Sequence, residues 1–591
     1  MSRRQPAASE RLRDSRPSGS PVKAPADPKR RQQRRESVES FVVVLAAFLI
    51  WSFEAEGFVI PTGSMAPTLM GRHKEVTCPE CGYVYRVNAD CEVDSSGAGA
   101  ATGLRVAWGT CEICRFETRV DDIPSSSGDR IYTMKSGLHL PLVPALGQVG
   151  PGRFEVVVFK LPEEPEVRYI KRLVGLPGET IRIRQGDLYR RGHSEPDEFQ
   201  RLRRPLPHQQ AMQVMVYDDS HRPRSLRDDP RWSRWAGLGG GWTETTAGSF
   251  RAAGPSNQWN ELRYRHLVPD LEQWQAIREG KEPARPPRAT LITDFSSFNT
   301  DLTAQAAARP RTASRRWFQP HWVGDLTLSA AVDVARPAGQ LRLELIKGGH
   351  VCRCELDLAN GSATLFRDGV ALTPSTATEL KRPGRHSLAL ANVDDRVTLW
   401  VDGELPFGEG VIVGPEDPEA VCLPTAEDLQ PARIAARDVD LAVSNLVLKR
   451  DIYYTLEPGE PDYNALGGLA YRSPSALTDL LADPERYAQL GPPPSHDYSL
   501  GPGRFLMLGD NSPWSRDGRA WGTTDQINPL IPGRGWDDSG RESWEVPESL
   551  IIGKAFSVYW PRPKPVWPAL RVGKDYRLPV RPYVERMRWI R

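Results

Sequence analysis

The chain is short of several things, and each shortage closes a class of function. It has almost no excess charge: 77 Lys and Arg stand against 75 Asp and Glu, for a net +2 over 591 residues. That removes the basic footprint of a nucleic-acid binder. Apolar residues make up 39% and mean hydropathy is −0.47, which excludes a membrane protein of many spans. Cysteine is scarce, eight in all, too few for a disulfide scaffold of this length. Residues 1–36 contain no aromatic residue. A conspicuous serine, Ser64, has no histidine motif to match it. Glycine and proline, in contrast, are plentiful, at 50 and 53 residues, which suits a loop-rich, mostly β chain with linkers. The length calls for two to four domains.

Residues 1–36 are rich in Pro, Ser and Arg and read as a disordered tail with a basic end. The uncharged run "SFVVVLAAFLIWSF", residues 40–53, follows. As a helix its length is ~21 Å, against a hydrocarbon core of ~30 Å. Arg34 and Arg35 before it can snorkel. A cleaved signal peptide or a buried core helix are the alternatives, but small residues at cleavage spacing do not follow. The preferred reading is an uncleaved anchor over 37–57, basic side cytoplasmic, with the rest of the chain outside.

Beyond the anchor, "DRIYTMK", "RFEVVVFKLPEE" and "VRYIKRLVGLPGETIRI" read as strands, the last broken by a Pro-Gly turn. Residues 185–290 are rich in Arg, Pro and Trp and receive no assignment. Residues 291–455 are short alternating runs broken by Gly, Asn and Asp, the pattern of a β-sandwich, with an Asp-Gly hairpin expected in "VTLWVDGEL". Pattern alone makes this segment similar to laminin-G and concanavalin-like jelly rolls. Residues 456–500 read as a linker with one helix at "SALTDLLADPERYAQL".

Two constellations carry chemistry. In "FVIPTGSMAPTLM", Ser64 sits in a Thr-Gly-Ser turn, and a serine hydroxyl is a weak nucleophile until a base takes its proton. In "RYIKRLVGLPGE", alternation puts Lys171 on the face of Leu173. An amine in apolar surroundings loses hydration of its charged form, and its pKa falls. A neutral lysine near pH 7 can then serve as general base. The plainer alternative is a surface lysine followed by Arg172. A third segment, "FLMLGDNSPWSRDGRAWG", runs from a strand into a turn dense with Asp510, Asn511, Ser515, Asp517 and Arg519.

With "IPTGSMAPTL", "GDRIYTMK", "FEVVVFKLPEE", "RYIKRLVGLPGE", "MLGDNSPWSRDGRAWG" and "VPESLIIGKAFSVYWP" in this order, the chain resembles the type I signal peptidases, membrane-bound Ser-Lys proteases of the secretory pathway. The matching segments cover roughly 150 of the 591 residues. The resemblance implies Ser64 as nucleophile and Lys171 as general base. It implies an oxyanion hole from the Ser64 N–H and the Thr62 hydroxyl, donors worth ~3–4 kcal/mol each in comparable sites. It further implies Ser515 as the residue orienting the lysine, with Asp517 and Arg519 as a supporting ion pair. Ile60 and Ile170 would line small pockets for the side chains at P1 and P3, with Met65 near the same cleft. The implied partners are secretory preproteins with A-x-A signal peptides, bound as an added strand, and the lipid bilayer. The implied location is the cytoplasmic membrane: single-pass, N-terminus inside, catalytic domain outside. Catalysis needs no cofactor. Two positions depart from the family pattern: Gly518 stands where a serine is usual, and "GRFE" replaces the usual Gly-Asp before the "VVF" strand.

The expected architecture is mostly β: a signal-peptidase-type catalytic domain with an anchor helix and an inserted sandwich. The catalytic domain would comprise 58–184 and 501–570, with a C-terminal tail at 571–591. A Cys-rich insertion at 74–120 carries "TCPECGY" and "TCEICRF", whose pairs Cys78/Cys81 and Cys111/Cys114 enclose 29 residues. Four thiolates in two such turns suit a structural, tetrahedral zinc in a zinc-ribbon-like module; disulfides are the rival in an oxidising compartment. Cys352, Cys354 and Cys422 are read as buried thiols or a disulfide. The ligand of the sandwich is open. An alternative function is a membrane-anchored binding or adhesion protein acting through the sandwich on an inactive peptidase scaffold. Retention of Ser64, Lys171 and Ser515 together speaks against it.

Overall fold

The computed structural model describes residues 32, 36–42, 55–94, 100–135, 151–192, 198–246, 248–255, 257–300, 320–414, 419–458, 462, 474–521, 543–560, 564–565, 571–572, 576–577, 580–581 and 587–591. Most of the expected tail and anchor therefore lies outside the described residues. Among these, 36–42 are helical, and no helix is long and apolar enough to cross a membrane. The chain divides into two compact units, Met1–Glu56 and Gly57–Arg591; the second holds the features that follow.

The fold is mostly β, and four of its sheets are large. The first, of eight strands, runs in the order Ala55–Val59, Arg130–Lys135, Ile551–Trp560, Val156–Lys160, Arg168–Gly175, Arg504–Leu508 and Glu545–Pro547, with Arg588–Trp589 added beside Ile551–Trp560. Its strands come from both ends of the sequence. The reason lies in burial: "VVVF" is apolar on both faces, and Val156–Phe159 and Lys171–Gly175 are buried without alternation. Such strands need neighbours on each side and cover on both faces. Expected strands at 129–135, 153–164 and 167–183 are all present, and Gly178 takes φ 78° at the Pro-Gly turn. The last residues also return here. Ile590 packs with Ile60, Met65 and Leu69 in one apolar cluster.

A four-stranded sheet, Gln200–Arg201, Asp187–Gly192, Glu179–Arg184 and His496–Ser499, continues from the Pro-Gly turn. Two further eight-stranded sheets share one hydrophobic core in which Leu328, Val332 and Leu390 of one meet Leu343, Cys354 and Ile434 of the other. These sheets do not begin at 291. Val214–Asp218, Thr243–Thr246 and Ser249–Ala253 belong to one of them, Trp235–Leu238 and Asn260–Tyr264 to the other. The stretch left unassigned thus contributes five strands to these two sheets, besides Asp187–Gly192 and Gln200–Arg201. Its Arg and Pro content hid a period-2 pattern that becomes visible only against partners such as Asp440–Arg450, where Phe250 lies opposite Val443. The tight hairpin also shifts. The chain reverses at Asp394–Asp395, both at φ 52°, and pairs Gly384–Val393 with Arg396–Val401. The expected Asp402–Gly403 turn closes only a single bridge between Val401 and Glu404. The expected helix is two, Pro474–Leu481 and Pro484–Ala488, because Pro484 cannot continue the first and Asp483 caps the second.

In the cysteine-rich insertion, two hairpins, His73–Thr77 with Val84–Asn88 and Trp108–Thr110 with Glu117–Arg119, present the four thiols from their turns. Gly82 at φ 73° makes the first turn, as its sequence suggests. Arg115 at φ 60° occupies the matching place in the second.

Candidate active site and four-thiol cluster

The Ser64 turn is built by close backbone approaches. Ile60 N–H donates to Asp129 O at 2.9 Å and Asp129 N–H to Met70 O at 2.8 Å. The Asp129 carboxylate accepts from Met70 N–H at 2.9 Å. This is what the "GDR" motif does: a Cβ at Gly128 would lie 1.9 Å from Ile60 O, so only glycine lets the two segments meet. Ile60, Met65 and half-buried Ile170 pack against one cluster. Met65 is fully enclosed, so it serves as core beneath the turn.

Lys171 lies on Arg168–Gly175 opposite Val157. Its side chain is 3% exposed. Nζ donates to Ser64 Oγ at 2.7 Å and to Ile170 O at 2.9 Å. Burial pushes its pKa down to about 8, against the opposing pull of Asp517 and Asp510, with Arg519 adding to the depression. The arrangement holds an amine close to neutrality in direct contact with a hydroxyl. Thr62 is half-buried. Among the described residues neither its hydroxyl nor the Ser64 N–H takes part in a hydrogen bond, which leaves both donors available.

The polar turn after Arg504–Leu508 forms the wall behind the lysine. Asp517 and Arg519 form a bidentate pair, Nε to Oδ1 at 2.8 Å and Nη2 to Oδ2 at 2.6 Å, with no exposure. Asp517 Oδ2 also accepts from Gly509 N–H at 2.9 Å. Arg519 donates onward to Thr455 O at 2.7 Å and Ser512 Oγ at 2.7 Å. Ser515 is buried close to these groups, but its Oγ has no hydrogen-bond partner. In this structure the lysine is held by Ser64 and Ile170 O, without a hydrogen bond to Ser515.

Three features were missed in the sequence. Arg172, open to reading as a surface residue, is fully buried and pairs with Asp510 through Nε to Oδ1 at 2.7 Å and Nη2 to Oδ2 at 2.6 Å. Its signal was the unbroken apolar run after it, which leaves no solvent face. Asn511 donates from Nδ2 to Gly63 O at 3.1 Å, and its N–H to Ser64 O at 3.1 Å. Asn299, from the long insertion, exchanges amide hydrogen bonds with Asn511 at 2.7 and 2.9 Å. No local pattern announces a contact between residues so far apart. Truncating one partner of the buried Arg172–Asp510 ion pair costs ~3–5 kcal/mol.

Away from the serine, Cys78, Cys81, Cys111 and Cys114 are all buried, with their sulfurs within 4.8 Å of one another. Cys78 and Cys114 sulfurs lie 3.6 Å apart, and those of Cys81 and Cys111 3.5 Å. A disulfide requires ~2.05 Å, whereas Zn–S bonds of ~2.3 Å in a tetrahedron put sulfurs ~3.8 Å apart. The donor set fits a tetrahedral metal. Cys352, Cys354 and Cys422 are free thiols.

Residues 34–224 match the family of signal peptidases, peptidase S26. Among curated proteins, signal peptidase I of Pseudomonas aeruginosa is 32% identical over 142 residues, which cover 24% of this chain and 32% of that protein. Signal peptidase I of Rickettsia massiliae is 29% identical over 151 residues, covering 25% of this chain and 40% of the relative. The chain thus spans about a third of the length of these relatives, and the resemblance to type I signal peptidases holds over that part. Among solved structures, the carbohydrate-binding module CBM66 of Bacillus subtilis aligns at 10% identity and TM-score 0.21 over 37% of this chain and 96% of that one. Mouse laminin α1 domains LG4-5 align at 9% identity and TM-score 0.17 over 22% of this chain and 37% of that one. Scores this low assign no fold.

Proposed function

We propose that this chain is a membrane-bound serine endopeptidase that removes signal peptides from secreted preproteins, cutting after small residues at P1 and P3. The observation that carries the reading is the 2.7 Å contact between Ser64 Oγ and the amine of a buried lysine, on a chain similar to signal peptidases.

The reaction follows from the groups present. Neutral Lys171 takes the Ser64 proton as Oγ attacks the scissile carbonyl, forming the C–O bond of a tetrahedral intermediate. The oxyanion is received by the Ser64 N–H and the Thr62 hydroxyl. The lysine ammonium then gives its proton to the leaving amine as the C–N bond breaks. In the second half Lys171 deprotonates a water that attacks the acyl-enzyme and releases Ser64. The Asp517–Arg519 pair supports the wall behind the lysine, in which Ser515 is buried without a hydrogen bond to the amine. Half-buried Ile170 borders a shallow apolar pocket that excludes large side chains sterically, and Ile60 is buried in the cluster behind it.

The run at 40–53 anchors the protein in the cytoplasmic membrane with the peptidase outside. Cys78, Cys81, Cys111 and Cys114 would hold a zinc ion that pins the two hairpins together and takes no part in catalysis, because four thiolates would leave it no open position. The test is cleavage of a synthetic A-x-A signal peptide in detergent. Wild type should cut after the small residue, and Ser64→Ala and Lys171→Ala should not. A wild type inert in both detergent and lipid would overturn the peptidase reading.

A further inference from the structure

The long insertion sends one segment back to the nucleophile. Residues 294–300 leave the sandwich side and pass across the Ser64 turn. Phe298 packs with Ala66 and Met70 in a small closed cluster. Its ring lies so close that a Cβ at Gly63 would be 2.1 Å from Phe298 Cε1, which explains the glycine in the Thr-Gly-Ser turn from outside the catalytic sheet. Asn299 is buried and exchanges two amide hydrogen bonds with Asn511. Asn511 in turn holds the carbonyls of Gly63 and Ser64. Two side chains of the insertion thus fix the turn that aims the Ser64 hydroxyl.

The other side of the same segment is fastened to the cysteine hairpins. Ser297 N–H donates to Glu112 Oε2 at 2.7 Å, and Glu112 lies between Cys111 and Cys114. Thr110 N–H donates to Thr300 Oγ1 at 3.2 Å. The Arg115 guanidinium sits 3.6 Å over the Phe295 ring. The second C-x-x-C turn and the nucleophile turn are therefore joined through one short stretch of chain.

We propose that residues 295–300 are a brace through which the four-thiol module positions the nucleophile turn, with Phe298 and Asn299 as positioning residues. The catalytic consequence rests on the peptidase reading above; the mechanical link does not. In this arrangement the insertion is a working part of the site, and metal at the four thiols holds Ser64 in register at a distance. A misplacement of about 1 Å at a reacting group costs on the order of 100-fold.

The experiment uses the full chain in detergent and reads hydrogen exchange alongside cleavage of an A-x-A peptide. Asn299→Ala should raise amide exchange in the peptide covering 60–70 by about 10-fold or more, the size of losing one or two buried hydrogen bonds. It should lower kcat by about 10- to 100-fold, leave KM within about 3-fold and leave the pH midpoint of the rate unmoved. Thr300→Val, a milder change, should give the same pattern at smaller amplitude should the first variant fold poorly. Stripping zinc with a chelator should raise exchange in 294–300 and in 60–70 but not in the sandwich strand Leu326–Arg336. Unchanged exchange at 60–70 in the Asn299 variant and after stripping would overturn the brace. If exchange responds while wild type cuts no peptide, the brace stands and the peptidase reading falls.

Discussion

Two buried lysines of this chain behave in opposite ways. Lys171 touches a hydroxyl and a carbonyl, and burial carries its pKa down to about 8. Lys347, at the end of strand Gln340–Lys347 in one of the shared-core sheets, is largely buried too, but its Nζ lies 2.5 Å from Asp325 Oδ1 and 2.9 Å from Asp395 Oδ1. Those carboxylates outweigh burial and hold its pKa well above the ordinary lysine value. Desolvation is common to both sites, so it does not by itself make a base. The difference is the first neighbour. The carboxylates near Lys171 are engaged elsewhere, Asp510 by Arg172 and Asp517 by Arg519, so each acts on the lysine only at a distance. The two arginine pairs keep negative charge in the wall of the site while denying it direct contact with the amine.

That comparison can be broken most sharply at the reacting atoms. Ser64→Ala and Lys171→Ala should each lower kcat by about 10⁴-fold or more, measured on the A-x-A peptide; residual activity near wild type would remove the lysine from the mechanism. At the other lysine, Lys347→Met leaves Asp325 without its cation and Asp395 with Arg201 alone. It should cost about 3–5 kcal/mol of stability, read by chemical denaturation. Thr62→Val should cost about 10²- to 10³-fold in kcat, the loss of one oxyanion donor, with the melting temperature unchanged.

The pH dependences sharpen the same contrast. Under the proposed mechanism Lys171 works when neutral, so kcat/KM should climb as pH rises through about 8 and level off above it. For stability, the folded pKa is depressed below the unfolded value of about 10.4. Between the two the unfolded state binds more protons, so this group's contribution is full above pH 10.4 and is lost as pH falls through about 8. Lys171→Met should consequently stabilise the fold at pH 7 by about 2–3 kcal/mol, with the gain shrinking above pH 8. Equal melting temperatures for this variant and wild type at pH 7 would mean that the lysine is not desolvated.

The sequence exposed what is local. Ser64 in its turn, Lys171 among apolar neighbours, the Asp517–Arg519 pair two residues apart and the paired C-x-x-C hairpins all announce themselves within a few residues. The strands of the first sheet do too, since their apolar runs admit no other use. What stayed hidden was long-range. Arg172 meets Asp510 across 338 positions, and Asn299 meets Asn511 across 212. The five strands between 214 and 264 look irregular until their partners supply a second row of side chains. Arg115 at positive φ gave no sign either, because its backbone is set by the hairpin around it.

The sequence by itself determined the chemical parts: a hydroxyl, an amine and four thiols, because identity and spacing are covalent properties. Tertiary structure alone decided which charges stay apart and which segment braces the serine. Those outcomes depend on what shares a low-dielectric interior, where one neighbour at 2.5 Å or its absence reverses the sign of a pKa shift.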